Sequence, residues 1–447
     1  MTEKIELFSH ACRFSPIWMM IDALCIVHFL VAWFKTWKKT GWKLDFWFFA
    51  LGFSFFLPVL CMYPFNGSVF NVISCGQNFF SLDDFIEKAF SISLLGYACI
   101  WVGRHLYDFF KWESPFDFMI FLFRPVISII EKNVKSRKVV LSLFFVTVCI
   151  SAMVIGIEIY EGCLFFPRTF FLKNDLARPI FNFCISIVPL TITFLGLRYI
   201  QFNETVSKYL LILLISLTIF FGLRSLTIGS IITVLIYRIF ASGGKISLFK
   251  LSVFGLGLAF LSVYMDCLRH GNFDFLSSLT RFLASIFYGN NLSDTRDFAW
   301  ILAYWDGDYV FGKTYLAGLL SFFPRVISSF RQEWAISIYT NSIVNFDPST
   351  HAGLRPGLFG EAFLNFGYLG VASLGTIAGY MLRHADVKLK EAVSQQKDII
   401  KGYSHTLVYA FVSSFFITSG FWGFYTFIFL NLLLHLVYKI KWRSNPV

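Results

Sequence analysis

Charge is scarce in this chain: Asp, Glu, Lys and Arg make up 15% of 447 residues, against 57% hydrophobic residues and a mean hydropathy of +0.66. So little charge excludes a disordered chain and a water-soluble globular one of this length. The alternation of apolar and polar residues that a membrane barrel requires is also missing. Apolar residues come in long continuous runs, and in lipid such a run satisfies its own backbone only as a helix. The expected fold is therefore an all-α integral membrane protein.

Other absences narrow the reading. The nine cysteines are odd in number and scattered through apolar runs (Cys25, Cys61, Cys99, Cys149, Cys184), which gives neither a disulfide framework nor a metal-ligand spacing. The opening segment, Met1 to Trp18, has no short apolar core followed by a small-residue cleavage site, so no removable signal peptide is expected. The formal charge of +11 does not point to nucleic acid, because the lysines gather in short connections between apolar runs. The 58 phenylalanines fit lipid-facing bulk and mark no site by themselves.

What is present is a series of about eleven apolar spans, each near the 20 residues a helix needs to cross a bilayer. They are read at about 16 to 35, 45 to 64, 85 to 103, 138 to 158, 179 to 199, 207 to 222, 225 to 241, 248 to 266, 358 to 381, 404 to 420 and 422 to 439. The basic clusters at Lys35 to Lys43, Arg104 to Lys138, Lys245 to Lys250, Arg383 to Lys401 and Lys439 to Arg443 agree in side if the N-terminus is outside and the C-terminus cytoplasmic. The expected organisation is eight spans over 1–266, one large outer loop over 267–357, and three spans with a cytoplasmic tail over 358–447.

Some connections stand apart. Ser114 to Lys132 is apolar but interrupted by Arg124 and Pro125, which favours an interfacial helix over a span. The segment Gly162 to Arg178 is a second outer loop with Arg168, Lys173 and Arg178. A tight turn, Phe220 to Ser230, puts Arg224 at its tip and Ser225 where it can cap the next helix, whose N-terminus suits an anion.

The large loop from Cys267 to Gly357 is where the chain turns polar, and its basic groups are arginine with Lys313 the exception. A guanidinium is a rigid, permanently charged fork matched to phosphate and carboxylate. Arg296 stands between Asp294 and Asp297, either as an anion ligand or as a salt-bridged structural residue; Tyr304, Trp305, Asp306, Asp308 and Tyr309 form an aromatic and acidic patch; Arg325 and Arg331 follow. Flat aromatic faces beside carboxylates suit sugar rings. Near the end of the loop come His351, Arg355, which Pro356 keeps extended, and Glu361, just inside the next apolar run. A carboxylate there is costly to bury and is a candidate on that ground, with a structural ion pair to an arginine as the alternative. An imidazole, with an unperturbed pKa of about 6.5, can accept a proton at neutral pH.

In order, Gly222 and Arg224 in a tight turn, Thr295 to Asp297, Phe311 to Thr314, Phe322 to Arg325, His351 to Leu354 and Gly357 to Gly370 resemble the Wzy-type O-antigen polymerases, and more distantly the O-antigen ligases. The resemblance covers the last 240 or so residues. It implies a GT-C-like, ligase-like architecture and metal-independent, inverting glycosyl transfer at the outer face of a bacterial cytoplasmic membrane. The donor and acceptor would be undecaprenyl-diphosphate-linked oligosaccharides, with membrane lipid around them and a Wzz-type chain-length regulator as partner. No cofactor or nucleic acid enters. Arg224, Arg296 and Arg355 would clamp the diphosphate with help from Arg325 and Arg331. His351 or Glu361 would act as base or orient the acceptor, and Arg296 would serve the chemistry. Asp306 and Asp308 have an Asp-x-Asp spacing, which leaves a metal-dependent variant open. A ligase acting on lipid A core, or a flippase, are the alternatives.

Overall fold

The computed structural model describes residues 16–40, 83–111, 128, 130–164, 170–171, 174, 177–221, 226–227, 230–231, 234, 248–270, 276, 279, 294–320, 328–347, 353–395 and 400. Every element among them is an α-helix. They are α1 (Pro16–Thr40), α2 (Asp83–Phe110), α3 (Arg137–Tyr160), α4 (Arg178–Phe202), α5 (Thr205–Phe220), α6 (Leu248–His270), α7 (Asp294–Tyr304), α8 (Lys313–Leu319), α9 (Ser329–Trp334), α10 (Ile336–Val344) and α11 (Gly357–Gln395).

By length and composition, four described stretches can cross a membrane: Phe85–Phe110, Arg137–Tyr160, Pro179–Phe202 and Gly357–Met381. Thr205–Phe220 and Val253–Met265 are shorter apolar helices. The spans read at 45 to 64, 404 to 420 and 422 to 439 lie outside the described residues, as does most of that at 225 to 241 and most of the interfacial segment at 114 to 132.

The chain divides into two compact units: Met1–Leu122 with Ala284–Lys388 and Leu407–Val447, and Phe123–Leu283 with Leu389–Thr406. In the second unit α3 and α4 run antiparallel. The Thr147 and Thr191 hydroxyls meet at 2.7 Å, and Ser151 Oγ lies 3.7 Å from Cys184 Sγ. Small hydroxyl residues suit such a seam, because lipid gives apolar side chains no reason to prefer a neighbouring helix. At the end of the seam Glu204 holds three elements together: it accepts from Arg198 Nε at 2.8 Å and Ser207 Oγ at 2.7 Å, and pairs with Arg137 at 3.0 Å. Arg198 also donates to the carbonyls of Val134 and Lys135 at 2.9 and 2.8 Å. Burial acts to raise the Glu204 pKa, but the hydrogen bonds from Ser207 and Arg198 and the nearby guanidinium charges outweigh it and hold the carboxyl below its ordinary value.

In the first unit α1 and α2 run parallel, since Trp18 packs edge-on to Phe90 and His28 edge-on to Trp101. Beside them α7 is buried almost all round: every residue from Thr295 to Leu302 is in the interior. A helix with no wet face belongs in a core. Phe298, Trp300 and Ile301 pack there with Ile86, Phe90, Tyr97 and Ile100 of α2 and with Phe359, Phe363 and Val371 of α11.

α11 is not one rod. At Gly367 the backbone has φ 63° and ψ −153°, a region open to glycine and closed to other residues. Beyond it the chain folds back. A Cβ at Gly370 would come within 2.6 Å of both the Ala362 carbonyl oxygen and Phe366 Cβ, a contact a straight helix does not allow eight residues apart. The span expected at 358 to 381 is therefore a helical hairpin, with a short arm over 357–366 and a long arm over 368–395. The long arm runs parallel to α2 and packs against it through glycine: a Cβ at Gly375 would lie 2.5 Å from the Gly96 carbonyl oxygen, and one at Gly379 would strike the carbonyl of Ile100. Further along, Tyr107 meets Tyr380 and His384 edge-on, and Arg383 Nε donates to Asp108 at 2.8 Å.

Candidate functional site

The polar residues of the first unit gather where α7, α10 and the short arm of α11 meet. Arg355 is set in place by its neighbours. Gly353, at φ 93°, presses so closely on Ser337 of α10 that a Cβ would lie 2.5 Å from the Ser337 carbonyl oxygen. Thr340 Oγ1 donates to the Leu354 carbonyl at 3.0 Å, and the Arg355 N–H donates to Asp297 Oδ2 at 3.3 Å. The Arg355 guanidinium then emerges half-exposed, 3.6 Å from the Asp294 carboxylate, which is 55% exposed. That distance is long for a bidentate pair, and such a pair is weak enough to exchange partners.

Asp294 opens α7 and sits against Gly357. Although its side chain is accessible, protein crowds it on several sides. This burial is the main cause of a raised carboxyl pKa; Asp297 adds to it, while Arg355 and Arg296 oppose it.

Arg296 is fully buried, and its Nε and Nη2 donate to Asp297 Oδ1 at 3.1 and 2.9 Å. Arg296 thus takes the salt-bridged place that was its alternative to a ligand role, and it fixes the carboxylate that receives the Arg355 N–H. Arg331 is buried too, in the short α9 that Ser328 caps.

Glu361, on the short arm, is 5% exposed. Its Oε1 accepts from Thr314 Oγ1 at 2.9 Å, and Thr314 Oγ1 accepts from Asn365 Nδ2 at 2.7 Å. Asn365 Nδ2 also donates to the Glu361 carbonyl at 2.8 Å, and its Oδ1 accepts from the Gly312 N–H at 2.8 Å. The break at Gly367 explains why this network exists. It removes the helical partners of the Leu364 and Asn365 carbonyls, and the N–H groups of Val310 and Phe311 take their place at 3.1 Å each. The 305–312 strap is thereby stitched to the broken helix.

That strap carries the aromatic and acidic patch. Trp305 lies edge-on to Tyr309 at 5.2 Å and to Phe363 at 5.5 Å, and Trp305 Nε1 donates to the Asp308 carbonyl at 3.0 Å. Tyr304 and Tyr309 are each 40% exposed, and Asp306 and Asp308 point into solvent beside them. The Asp308 N–H donates to Asp306 Oδ1 at 3.2 Å, which closes the turn. Lys313, the one lysine of the loop, lies over the Trp334 ring at 3.9 Å.

The structure thus brings Asp294, Arg296, Asp297, Arg355 and Glu361 into one unit with Tyr304 to Tyr309, while Arg224, Arg325 and His351 lie outside the described residues. Sequence reasoning missed Thr314, Asn365 and the role of Asp294 as the partner of Arg355. Asn365 stands four residues after Glu361, a spacing that shares a helix face and was a usable signal. It also passed over Asp22 and Glu158, two fully buried acids in apolar helices whose carboxylate oxygens have no hydrogen-bond partner among the described residues. Compared with protein-family models, with characterised proteins and with solved structures, the chain has no match.

Proposed function

We propose that this chain polymerises undecaprenyl-diphosphate-linked oligosaccharide repeat units at the outer face of a bacterial cytoplasmic membrane. The observation that carries the reading is the half-exposed Arg355, held by its backbone on Asp297 and paired loosely with Asp294. A diphosphate competes well for such a guanidinium, because its oxygens match the fork and bring more charge than one carboxylate.

The chemistry follows from that exchange. Arg355 turns to the donor's diphosphate, leaving Asp294 free of its partner and with a pKa already raised. The acceptor hydroxyl oxygen bonds to the anomeric carbon as the bond from that carbon to the diphosphate oxygen breaks. The hydroxyl proton passes to Asp294, and the electron pair leaves with the diphosphate, whose charge Arg355 meets. Arg296 and Asp297 keep Arg355 in position, the buried Arg331 remains a proposed contributor from the sequence reading, and Tyr304, Trp305, Asp306, Asp308 and Tyr309 receive sugar rings. Glu361, fixed by Thr314, orients the short arm. Arg224, Arg325 and His351 remain proposed contributors from the sequence reading, as does a Wzz-type chain-length regulator as partner.

Deleting the gene and examining surface glycan tests this. A single repeat unit left on its anchor, with long chains restored by wild type and not by Arg355→Lys at equal protein level, is the expected outcome. Long unattached polymer would identify a ligase, and lipid-linked units trapped inside a flippase.

A further inference from the structure

The first unit also carries information about depth. α2 begins with Asp83, Asp84, Glu87 and Lys88, and its uncharged run extends from Ala89 to Gly103, with Gly96 at the centre. Two parts of α11 meet that central glycine: the Phe359 ring from the short arm, into which a Cβ at Gly96 would collide, and Gly375 from the long arm. Both arms of the hairpin therefore stand beside the middle of α2, and the apex at Gly367 points back toward the start of α2. Tyr97, next to Gly96, packs edge-on to Phe359 at 5.1 Å. Asp294 touches Gly357, two residues before Phe359.

If α2 crosses the bilayer, the Asp294 and Arg355 pair lies roughly 10 Å inside it, at a helical rise of about 1.5 Å per residue. Two half-exposed charges at that depth are costly against acyl chains and stable only where water reaches them. Irregular backbone such as 353–356 is likewise tolerated at depth only inside protein or along a wet cavity.

We propose that the segment from α7 to Gly367 re-enters the membrane beside α2 and forms a hydrated recess whose floor is the Asp294 and Arg355 pair, suited to the diphosphate head of a membrane lipid entering from the side. The identity of the ligand rests on the polymerase reading; the re-entrance does not. A recess at this depth lets a lipid-borne diphosphate reach Arg355 without its hydrocarbon tail leaving the bilayer.

Single cysteines test both parts in full-length protein freed of its native cysteines and reconstituted in bilayers. Nitroxides at Leu95→Cys and Val102→Cys, two exposed α2 positions, report membrane depth, and Asp294→Cys, with Leu358→Cys as a second variant, reports hydration through a small cationic methanethiosulfonate. The expected result is exclusion of a water-soluble nickel chelate at Leu95 and Val102, together with modification at Asp294 or Leu358. A long-chain polyprenyl diphosphate in the bilayer should slow that modification at least several-fold, with inorganic diphosphate having little effect. Nickel access at Leu95 would put the pair above the membrane and overturn the re-entrance. Lack of modification at both reporting positions would remove the recess. Modification slowed by inorganic diphosphate alone, or by neither, would overturn the lipid head as ligand, while chain extension measured separately still decides the polymerase reading.

Discussion

Gly370 rests on the carbonyl of Ala362, eight residues earlier in the same helix, and this contact shows that α11 is a hairpin closed at Gly367. The aromatic and acidic part of the candidate site depends on that closure, because it frees the carbonyls that bind the 305–312 strap. Gly367→Ala should cost about 1–3 kcal/mol, the usual range for a side chain forced into a glycine-only region. Thermal unfolding in detergent should show a lower midpoint than wild type, whereas Gly255→Ala, where a Cβ meets open space, should not shift it downward by a comparable amount. An unchanged midpoint for Gly367→Ala would argue against the hairpin.

Thr314 links Glu361 to Asn365, donating to one and accepting from the other. Thr314→Val keeps the shape, removes both bonds and leaves buried polar groups without them, a loss of about 1–3 kcal/mol. Thr314→Ser should retain most of the wild-type stability. Equal unfolding midpoints for Thr314→Val and wild type would dismiss the network.

Arg355 and Arg296 should respond differently to lysine. Arg355→Lys should fold normally and extend chains at least ten-fold more slowly, since a lysine cannot offer the bidentate fork. Arg296→Lys should first lower stability, because it disturbs a buried pair with Asp297 whose rupture is costly. Comparing chain extension per folded molecule with the unfolding midpoint separates the two. Loss of activity without loss of stability in Arg296→Lys would place Arg296 at the ligand after all.

Glu204 makes a prediction about acid. Its lowered pKa means that the ionised carboxylate stabilises the fold at pH values above the ordinary carboxylate range, and that this contribution disappears as pH falls through the lowered value. Glu204→Gln should therefore be less stable than wild type near neutrality, by about 1–3 kcal/mol, and the two should converge in acid. A gap that stays constant or widens on acidification would contradict the assignment.

The sequence made the membrane class plain, because hydropathy is a sum over many residues. The concentration of polar groups around Arg296, Arg355 and Glu361 was also visible, since charge beside an apolar run is conspicuous. The reversal at Gly367 was not: a glycine inside an apolar run is compatible with a straight helix, and only its φ and ψ distinguish the two. Arg296 between Asp294 and Asp297 was compatible with a phosphate ligand and with a structural salt bridge, and the sequence could not show that a whole short helix is sunk into the core and takes its arginine with it. Asp294 looked like a flanking acid until the approach of residues 353–356 to α7 brought Arg355 beside it.

The most direct measurement is chain extension by the purified protein in liposomes supplied only with undecaprenyl-diphosphate-linked repeat units. The account predicts lipid-linked products of two and more repeats, one undecaprenyl diphosphate released for each bond formed, and at least ten-fold slower extension with Asp294→Asn. Intact substrate with no released diphosphate, or transfer only when a lipid A core acceptor is added, would contradict it.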